Sequence, residues 1–479
     1  MKIVEICNKI VNDEWVIGLE KLEIEKQMEY INSVQNMLVG QNKKFIIFTM
    51  GCTLNENDSE KLSGMAIQMG YARTENVNEA DLIIFNTCCI RENAEERLFG
   101  KLGEVKKLKE KNGAIIAICG CMMQQEHIIE KLNKSYKYVD IIFGTHTLHK
   151  LPEDLYKKLC ETKKVVDVLN IEGKVYEGLP IKRESANKAL VTIMYGCNNF
   201  CTYCIVPYVR GRERNRRTED ILSEIETLAS EGYKEVTLLG QNVNSYVGNG
   251  YKGINNFADL LRAVNEIDGI EIISFISPHP KDFTDNVISA IRDCKKVSRI
   301  LHLPLQSGSS NVLKRMNRKY TKEQYLTLAN KIKEQVPDVA LSTDIIVGFP
   351  GETEEDFEDT LDVVRTVGFE QVFMFIYSKR VGTPAAVMED QIPEEIKHKR
   401  FDRLKDLVEQ QMKENNEKYI GTEHNILVEG TSKTNENMLT GRTKTNKVVI
   451  LEGTEDLIGK MVRVKIVSEH MWYLKGEIL

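Results

Sequence analysis

Residues 189–217 read ALVTIMYGCNNFCTYCIVPYVRGRERNRR, and this stretch decides the fold of the chain's centre. A β-branched apolar run, ALVTIM (189–194), is followed at once by Cys197, Cys201 and Cys204. A strand that ends in a ligand-bearing loop is the pattern of a βα unit, whose chemistry sits at the C-terminal end of the strand. Three thiolates within eight residues can wrap one corner of an iron–sulfur cluster, and cubane clusters normally take four cysteines. No fourth cysteine is nearby, so one iron lacks a protein ligand. Such an open position marks a catalytic metal site rather than a closed structural one. The plainer readings are a zinc site completed by a distant His or Cys, or unconnected buried thiols. Neither accounts for three thiolates converging on an active-site loop.

Working outward, six apolar runs span residues 188–418: ALVTIM, EVTLLG (235–240), EIISFIS (271–277), RILHLP (299–304), ALSTDIIV (340–347) and QVFMFIY (371–377). Helix-length segments separate them, and Thr321 with Gln324 and Thr353 with Asp356 form capping boxes at two helix starts. Six βα units predict an incomplete barrel, open on one side. Upstream, KFIIFT (44–49), DLIIFNT (81–87), AIIAIC (114–119) and VDIIFG (139–144) alternate with helical patterns across 43–160. Runs of this length suit strands buried on both faces, which predicts a small doubly wound α/β domain. Residues 1–42 are Glu/Lys-rich and read as a helical extension with Trp15, Leu19, Leu22, Met28, Ile31 and Leu38 as a loose apolar stripe. Residues 161–187 carry Gly, Pro and charge and read as a linker. Residues 419–479 change character: HNILVEG, NKVVILEG and KMVRVKIVS sit close together, which predicts a small antiparallel β-barrel of oligonucleotide-binding type.

The 479 residues are 42% apolar and 28% charged, which excludes wholesale disorder. Net charge is −6, so any nucleic-acid surface must be a local patch. The 11 cysteines are odd in number, and the chain is too large to need disulfide staples. The first residues lack the apolar core of a signal peptide, and no apolar run approaches the ~18 residues of a membrane span. The expectation is a cytoplasmic protein without a membrane anchor, whose reduced thiols serve metal or redox chemistry.

A second set of thiols supports this. Cys52 follows the run KFIIFTM, Cys88 follows DLIIFNT, and Cys121 follows AIIAIC. All three lie at C-terminal strand ends, where open parallel sheets bind ligands. A lone free cysteine is often a small buried hydrophobe, but three at equivalent strand ends fit that reading poorly. Neighbours along an extended chain point to opposite sides, so Cys88 and Cys89 are not ligands together. Periodicity alone leaves Cys88 or Cys89, and Cys119 or Cys121, open.

CNNFCTYC, a CxxxCxxC with Tyr203 before its last cysteine, resembles the radical S-adenosylmethionine (SAM) signature. The resemblance implies a partial (βα)6 barrel, SAM chelated to the open iron, and its one-electron cleavage to a 5′-deoxyadenosyl radical. GCTLNENDSE (51–60), NTCCIREN (86–93), GCMMQ (120–124), the cysteine loop, SPHP (277–280), LPLQSGS (303–309) and TDIIVGFPGET (343–353) together resemble the radical SAM methylthiotransferases, in order and over nearly the whole chain after residue 42. That family implies two 4Fe-4S clusters: an auxiliary one on Cys52, Cys88 and Cys121, and the radical SAM one on Cys197, Cys201 and Cys204. Its domains are then an N-terminal methylthiotransferase domain, the radical SAM core and a C-terminal TRAM domain. Cys89 and Cys119 fall where relatives need no cysteine, and Cys7, Cys160 and Cys294 match no motif. Thr53 stands where Gln is usual, and Asn215 where Ser is common. IVPYVRGRERNRR and GRTKTNKVV (441–449) are most similar to the branch that modifies isopentenyladenosine at position 37 of tRNA (the MiaB type). Sister branches act on threonylcarbamoyladenosine in tRNA or on an aspartate of a ribosomal protein.

The resemblance also implies two uses of SAM, one for a methyl group and one for the radical, because an unactivated adenine C–H is beyond acid–base groups at neutral pH. It implies an electron donor such as flavodoxin or ferredoxin, a sulfur source, and a monomer acting on a tRNA anticodon stem–loop. Arg210, Arg212, Arg214, Arg216 and Arg217 follow the cysteine loop and suit RNA phosphates, with pairing to Glu213 and Glu219 as the plainer reading. Arg442, Lys444 and Lys447 suit the same role on the terminal barrel. Tyr203, Gln306 and Asp344 are candidates to face SAM. IVGFPGET lacks the Lys-Ser/Thr pair of a phosphate loop, and His279 and His302 lack metal spacing. The competing class is an iron–sulfur tRNA-binding protein without turnover.

Overall fold

A computed structural model describes residues 2–90, 94–161, 163–169, 174–432, 435–443, 445 and 447–479. The chain divides into two compact units, Met1–Asn198 with Cys204–Gln241, and Asn199–Tyr203 with Asn242–Leu479.

The first unit opens with α1 (Lys2–Leu38) and continues through β1 (Lys44–Met50), α2 (Thr53–Gln68), β2 (Ala72–Arg73), β3 (Leu82–Thr87), α3 (Ala94–Asn112), β4 (Ile115–Gly120), α4 (Glu126–Ser135), β5 (Ile141–Phe143), α5 (Leu151–Glu161) and β6 (Val165–Asp167). The strands form one parallel sheet in the order β2-β1-β3-β4-β5-β6. Both faces are covered, as the continuous apolar runs require. Along β3, Leu82 and Ile84 join a core with α1, α2 and α5, while Ile83 and Phe85 join one with α3 and α4. The strand order reverses between β1 and β3, and such a switch point opens a crevice at the strands' C-terminal ends.

Two expectations shift. The sheet runs past residue 160, because β6 adds to β5 from within the expected linker. The later turns of the N-terminal helix dock on the sheet domain, with Ile31, Val34 and Leu38 buried, Tyr30 packed on Tyr156, and Gln27 donating to Glu153 at 3.2 Å. Leu19 and Leu22, expected in its stripe, are exposed. Beyond the linker come β7 (Lys188–Thr192), β8 (Met194–Tyr195), the short α6 (Val206–Arg210), β9 (Arg214–Asn215), α7 (Thr218–Ser230) and β10 (Glu235–Leu239). β7 and β10 pair in parallel, and β8 and β9 form an antiparallel clip around the cysteine loop.

The second unit continues the alternation with α8 (Phe257–Asn265), β11 (Ile272–Phe275), α9 (Asp285–Asp293), β12 (Ile300–His302), α10 (Ser310–Arg315), α11 (Lys322–Gln335), β13 (Ala340–Val347), α12 (Glu354–Val367), β14 (Gln371–Ile376) and α13 (Glu394–Glu417). In chain order β7, β10, β11, β12, β13 and β14 are the six strands of the βα core, and β12-β13-β14 pair in parallel. Both expected capping boxes form, with Gln324 N donating to Thr321 Oγ1 at 3.3 Å and Asp356 N to Thr353 Oγ1 at 3.1 Å.

The chain ends in a closed barrel of β15 (Glu423–Ser432), β16 (Asn435–Arg442), β17 (Val448–Glu452), β18 (Met461–His470) and β19 (Tyr473–Ile478), ordered β15-β16-β17-β19-β18. Ile426, Val428, Leu439, Val449, Leu451, Val464, Ile466 and Leu474 fill it. The expectation of an antiparallel barrel needs one correction: β17 and β19 pair in parallel, which lets five strands close.

Candidate iron–sulfur sites

Three strand ends of the N-terminal sheet stand in one row. Met50 lies opposite Thr87, and Thr87 opposite Gly120. Cys52 caps the start of α2 two residues past Met50, Cys88 directly follows Thr87, and Cys121 directly follows Gly120. At ~4.8 Å between strands, the three cysteines leave one edge within about 10 Å of chain. The Cys52 and Cys88 side chains hydrogen-bond to each other, as do those of Cys89 and Cys121. Cys119 is different: it sits inside β4, fully buried with Leu82, Ile84 and Ala117 in the sheet core. Register thus separates Cys119 from Cys121, which periodicity could not.

The local sequence explains the edge. Gly120 has φ +97°, and a Cβ there would lie 2.3 Å from Thr87 O and 2.7 Å from Asn86 Oδ1, so only glycine can deliver Cys121. Buried Asn55 accepts from Cys52 N at 3.2 Å and donates to Asn86 Oδ1 at 3.0 Å and Thr87 O at 3.3 Å. Asn86 donates back to Asn55 O at 2.8 Å and to Ser59 Oγ at 3.0 Å. Arg210, buried at the end of α6, donates from Nε to Cys121 Sγ at 3.1 Å and from Nη2 to Asp58 Oδ2 at 2.8 Å. Donation from Cys89 and the Arg210 guanidinium hold the Cys121 thiol below its ordinary value against the effect of burial. Its hydrogen bond to Cys88, and then burial, push the Cys52 thiol up.

Among the described residues, no three His, Cys, Asp or Glu side chains converge as ligands of a single metal ion. A cubane takes one thiolate at each iron, so thiols spread along one edge beside a buried cation are the donor set it needs. Cys52, Cys88 and Cys121 fit that group.

The second cysteine set is held from both ends of its loop. In the first unit Gly196 has φ +77°, and a Cβ there would lie 2.0 Å from Arg212 O. Its N–H donates to Gln241, Cys197 N donates to Gly211 O at 3.1 Å, and Asn198 N donates to Glu213 at 3.1 Å. In the second unit residues 315–318 cradle the loop's centre. Thr202 N donates to Met316 O at 3.0 Å, its hydroxyl donates to Arg315 O at 2.9 Å, and Asn317 Nδ2 donates to Asn199 O at 3.2 Å and Phe200 O at 3.0 Å. Buried Arg318 reaches Cys201 Sγ at 3.5 Å and is fixed by Pro304 O and Tyr320 OH, each at 2.9 Å. Tyr203 packs against the Val312, Met316 and Phe349 cluster.

Gln306 and Asp344 come together: Gln306 N donates to Asp344 O, and Ile346 N donates to Gln306 O, each at 2.8 Å. Gln306 holds φ +72°, and the Asp344 carboxylate meets His302 Nε2 at 3.3 Å. His279 is buried with Nδ1 accepting from Lys281 N, and burial pushes its pKa down.

The arginine run divides. Arg210 and Arg216 are interior, Arg216 gripping Glu177 at 2.6 and 2.7 Å and Glu224 at 2.7 Å. This narrows the expectation that all five arginines face RNA, because Arg210 and Arg216 pair with carboxylates inside the protein. Arg212 is exposed, Arg214 half-buried, and Arg217 half-buried against Asp220 at 2.7 Å. On the barrel, Arg442 meets Glu429 at 3.2 Å and Lys447 meets Glu370 at 2.6 Å, while Lys444 lies outside the described residues. Asn55, Asp58, Asn86, Asn317 and Arg318 did not stand out in the sequence. Their signal was position: each sits in or beside a cysteine motif or the polar run 315–318.

Residues 44–144 match a family described as "Uncharacterized protein family UPF0004", residues 191–364 the radical SAM superfamily, and residues 417–479 the TRAM domain. Strand-end thiols on such a core define a radical SAM enzyme, and that superfamily implies SAM and a 4Fe-4S cluster. The fold is similar to that of the radical SAM methyltransferase TsrM from Kitasatospora setae, at TM-score 0.52 and 12% identity, covering 72% of this chain and 75% of that one. At that identity the likeness is of fold alone. A tRNA-2-methylthio-N(6)-dimethylallyladenosine synthase from Acetivibrio thermocellus is 54% identical over 482 positions, 98% of this chain and 100% of that one. One of the same name from Clostridium perfringens is 57% identical over 438 positions, 91% and 98%. The chain belongs to this family of MiaB-type radical SAM tRNA methylthiotransferases.

Proposed function

We propose that this chain inserts a methylthio group at carbon 2 of N(6)-isopentenyladenosine at position 37 of tRNA, using two 4Fe-4S clusters and two molecules of SAM. Its full-length similarity, at 54% identity, to a synthase of that name carries the reading. Cys197, Cys201 and Cys204 are the residues that would hold the radical SAM cluster, and Cys52, Cys88 and Cys121 the auxiliary one. When bound, these groups supply one-electron chemistry, a methyl group and sulfur at an unactivated C–H. The protein's own residues position and insulate. Asn55, Asn86 and Gly120 fix the auxiliary thiols, residues 315–318 fix Cys201, and Tyr203, Gln306 and Asp344 orient SAM.

The substrate is an anticodon stem–loop, whose position 37 can be splayed out for reaction. Arg212 is exposed and Arg217 and Arg442 are partly so, and these three would meet its phosphates; Lys444 is proposed for the same role from the sequence alone. The chain works as a cytoplasmic monomer, fed by flavodoxin or ferredoxin and by a separate sulfur source. Among the described residues no helix is long and apolar enough to cross a membrane.

Mass spectrometry of tRNA nucleosides tests the reading, in a strain lacking its own synthase and carrying this chain. Methylthiolated isopentenyladenosine should appear with the native chain and be absent with Cys201→Ala. Isopentenyladenosine left bare, with threonylcarbamoyladenosine methylthiolated instead, would move the chain to a sister branch. Anaerobically reconstituted protein should hold about eight irons per chain. A count near four that survives Cys52→Ala would remove the auxiliary site.

A further inference from the structure

Arg210 joins two parts of the molecule that the sequence keeps apart. It ends α6, six residues after Cys204, yet its Nε–H points at Cys121 Sγ, 3.1 Å away and 89 residues upstream. The helix is anchored there: Thr145 Oγ1 donates to Val209 O at 2.7 Å, and Ile205 and Val209 pack on Cys89 and Cys121. Arg210 is only 5% exposed, and Asp58, its carboxylate partner among the described residues, is 4% exposed. A buried ion pair of this kind contributes little net stability, because desolvation offsets the attraction. Its effect falls instead on whatever charge lies next to it, and that is the Cys121 sulfur.

Hydrogen bonds to ligating sulfurs and nearby positive charge favour the more negative, reduced state of an iron–sulfur cluster. We propose that Arg210 is a positioning residue of the auxiliary site that raises the reduction potential there, through its Nε–H bond to Cys121, and is itself held in aim by Asp58. This rests on the reading that Cys121 is a cluster ligand. Arg318, donating to Cys201, offers an internal comparison at the other cysteine set.

The test is a redox titration followed by electron paramagnetic resonance, on full-length protein reconstituted without oxygen. D58N/R210Q removes both charges of the pair together. R210K keeps the cation but loses the directed Nε–H. In either variant the midpoint potential of the auxiliary cluster should fall and that of the radical SAM cluster should stay. Arg318→Lys should do the reverse. An auxiliary potential equal to that of the unvaried protein overturns the inference. So does loss of the cluster from R210K, which would make Arg210 purely structural. If instead the unvaried protein gives one cluster signal that Cys121→Ala does not touch, the ligand assignment itself has failed, and the inference falls with it.

Discussion

Asp154 lies on α5 beneath the N-terminal sheet, fully buried, and among the described residues neither carboxylate oxygen has a hydrogen-bond partner. Burial pushes its pKa from 3.8 up to about 7; Asp167 and Glu153 push the same way, and Lys157 and Lys150 oppose them. The folded chain therefore binds this proton more tightly than the unfolded chain. Its contribution to stability is fully present below about pH 4, falls as pH rises through the window from 4 to 7, and is constant above it. A difference of about three pKa units corresponds to about 4 kcal/mol. Asp154→Asn keeps the shape and removes the charge. It should match the native chain near pH 4 and exceed it by up to about 4 kcal/mol at pH 8. A chain of several domains does not unfold in one step, so the local opening free energy is the quantity to measure. Hydrogen exchange with mass spectrometry on peptides from β5 and α5, at pH 5 and pH 8 and corrected for intrinsic rates, reports it. Peptides of Asp154→Asn that open as easily at pH 8 as those of the native chain, or that keep the same pH dependence, would show that Asp154 carries no such buried charge.

Asn55→Ala should cost about 2 kcal/mol by orphaning Cys52 N and Asn86 Oδ1. Iron bound after desalting should drop by half, with the radical SAM signal kept. Gly196→Ala should do the opposite, because a left-handed residue adds about 1–2 kcal/mol of strain and its Cβ meets Arg212 O; unchanged iron content would contradict the geometry. Leu474→Ala should cost about 3 kcal/mol by opening a cavity in the terminal barrel. A lower unfolding temperature and weaker tRNA binding, at unchanged iron content, are the expected results.

The parts of this fold that were legible in the sequence are those written in neighbouring residues. Continuous apolar runs marked the strands of the N-terminal sheet and the core, because a strand covered on both faces has no polar face to interrupt it. Thr321 and Thr353 announced their helix starts, because a capping box closes within four residues. The candidate cysteines stood out for the same reason, because each follows a strand closely or lies in one loop, but neighbouring residues alone did not choose between Cys88 and Cys89 or between Cys119 and Cys121. Cys119 and Cys121 show where this stops. Two residues apart in sequence, they are told apart only by the register that ends β4 at Gly120. The α1 stripe slipped because a long Glu/Lys-rich helix carries more apolar residues than it docks, and Tyr156 and Glu153 on α5 select which.

The arginine run shows the same limit in its sharpest form. A row of guanidiniums after an active-site loop reads identically whether each one will meet a phosphate or a buried carboxylate. Composition cannot decide, because the deciding partners are remote: Asp58 lies 152 residues before Arg210, and Glu177 lies 39 before Arg216. Once folded, the two classes separate by burial. Arg210 and Arg216 are withdrawn into the protein, while Arg212 remains in solvent. The two classes should therefore respond differently to salt. Arg212→Ala should weaken tRNA binding and lower its salt dependence by about one counterion. D58N/R210Q should leave that dependence unchanged and move only the potential of the cluster beside it. A salt slope altered by the buried pair would mean that the run acts as one phosphate-binding surface after all.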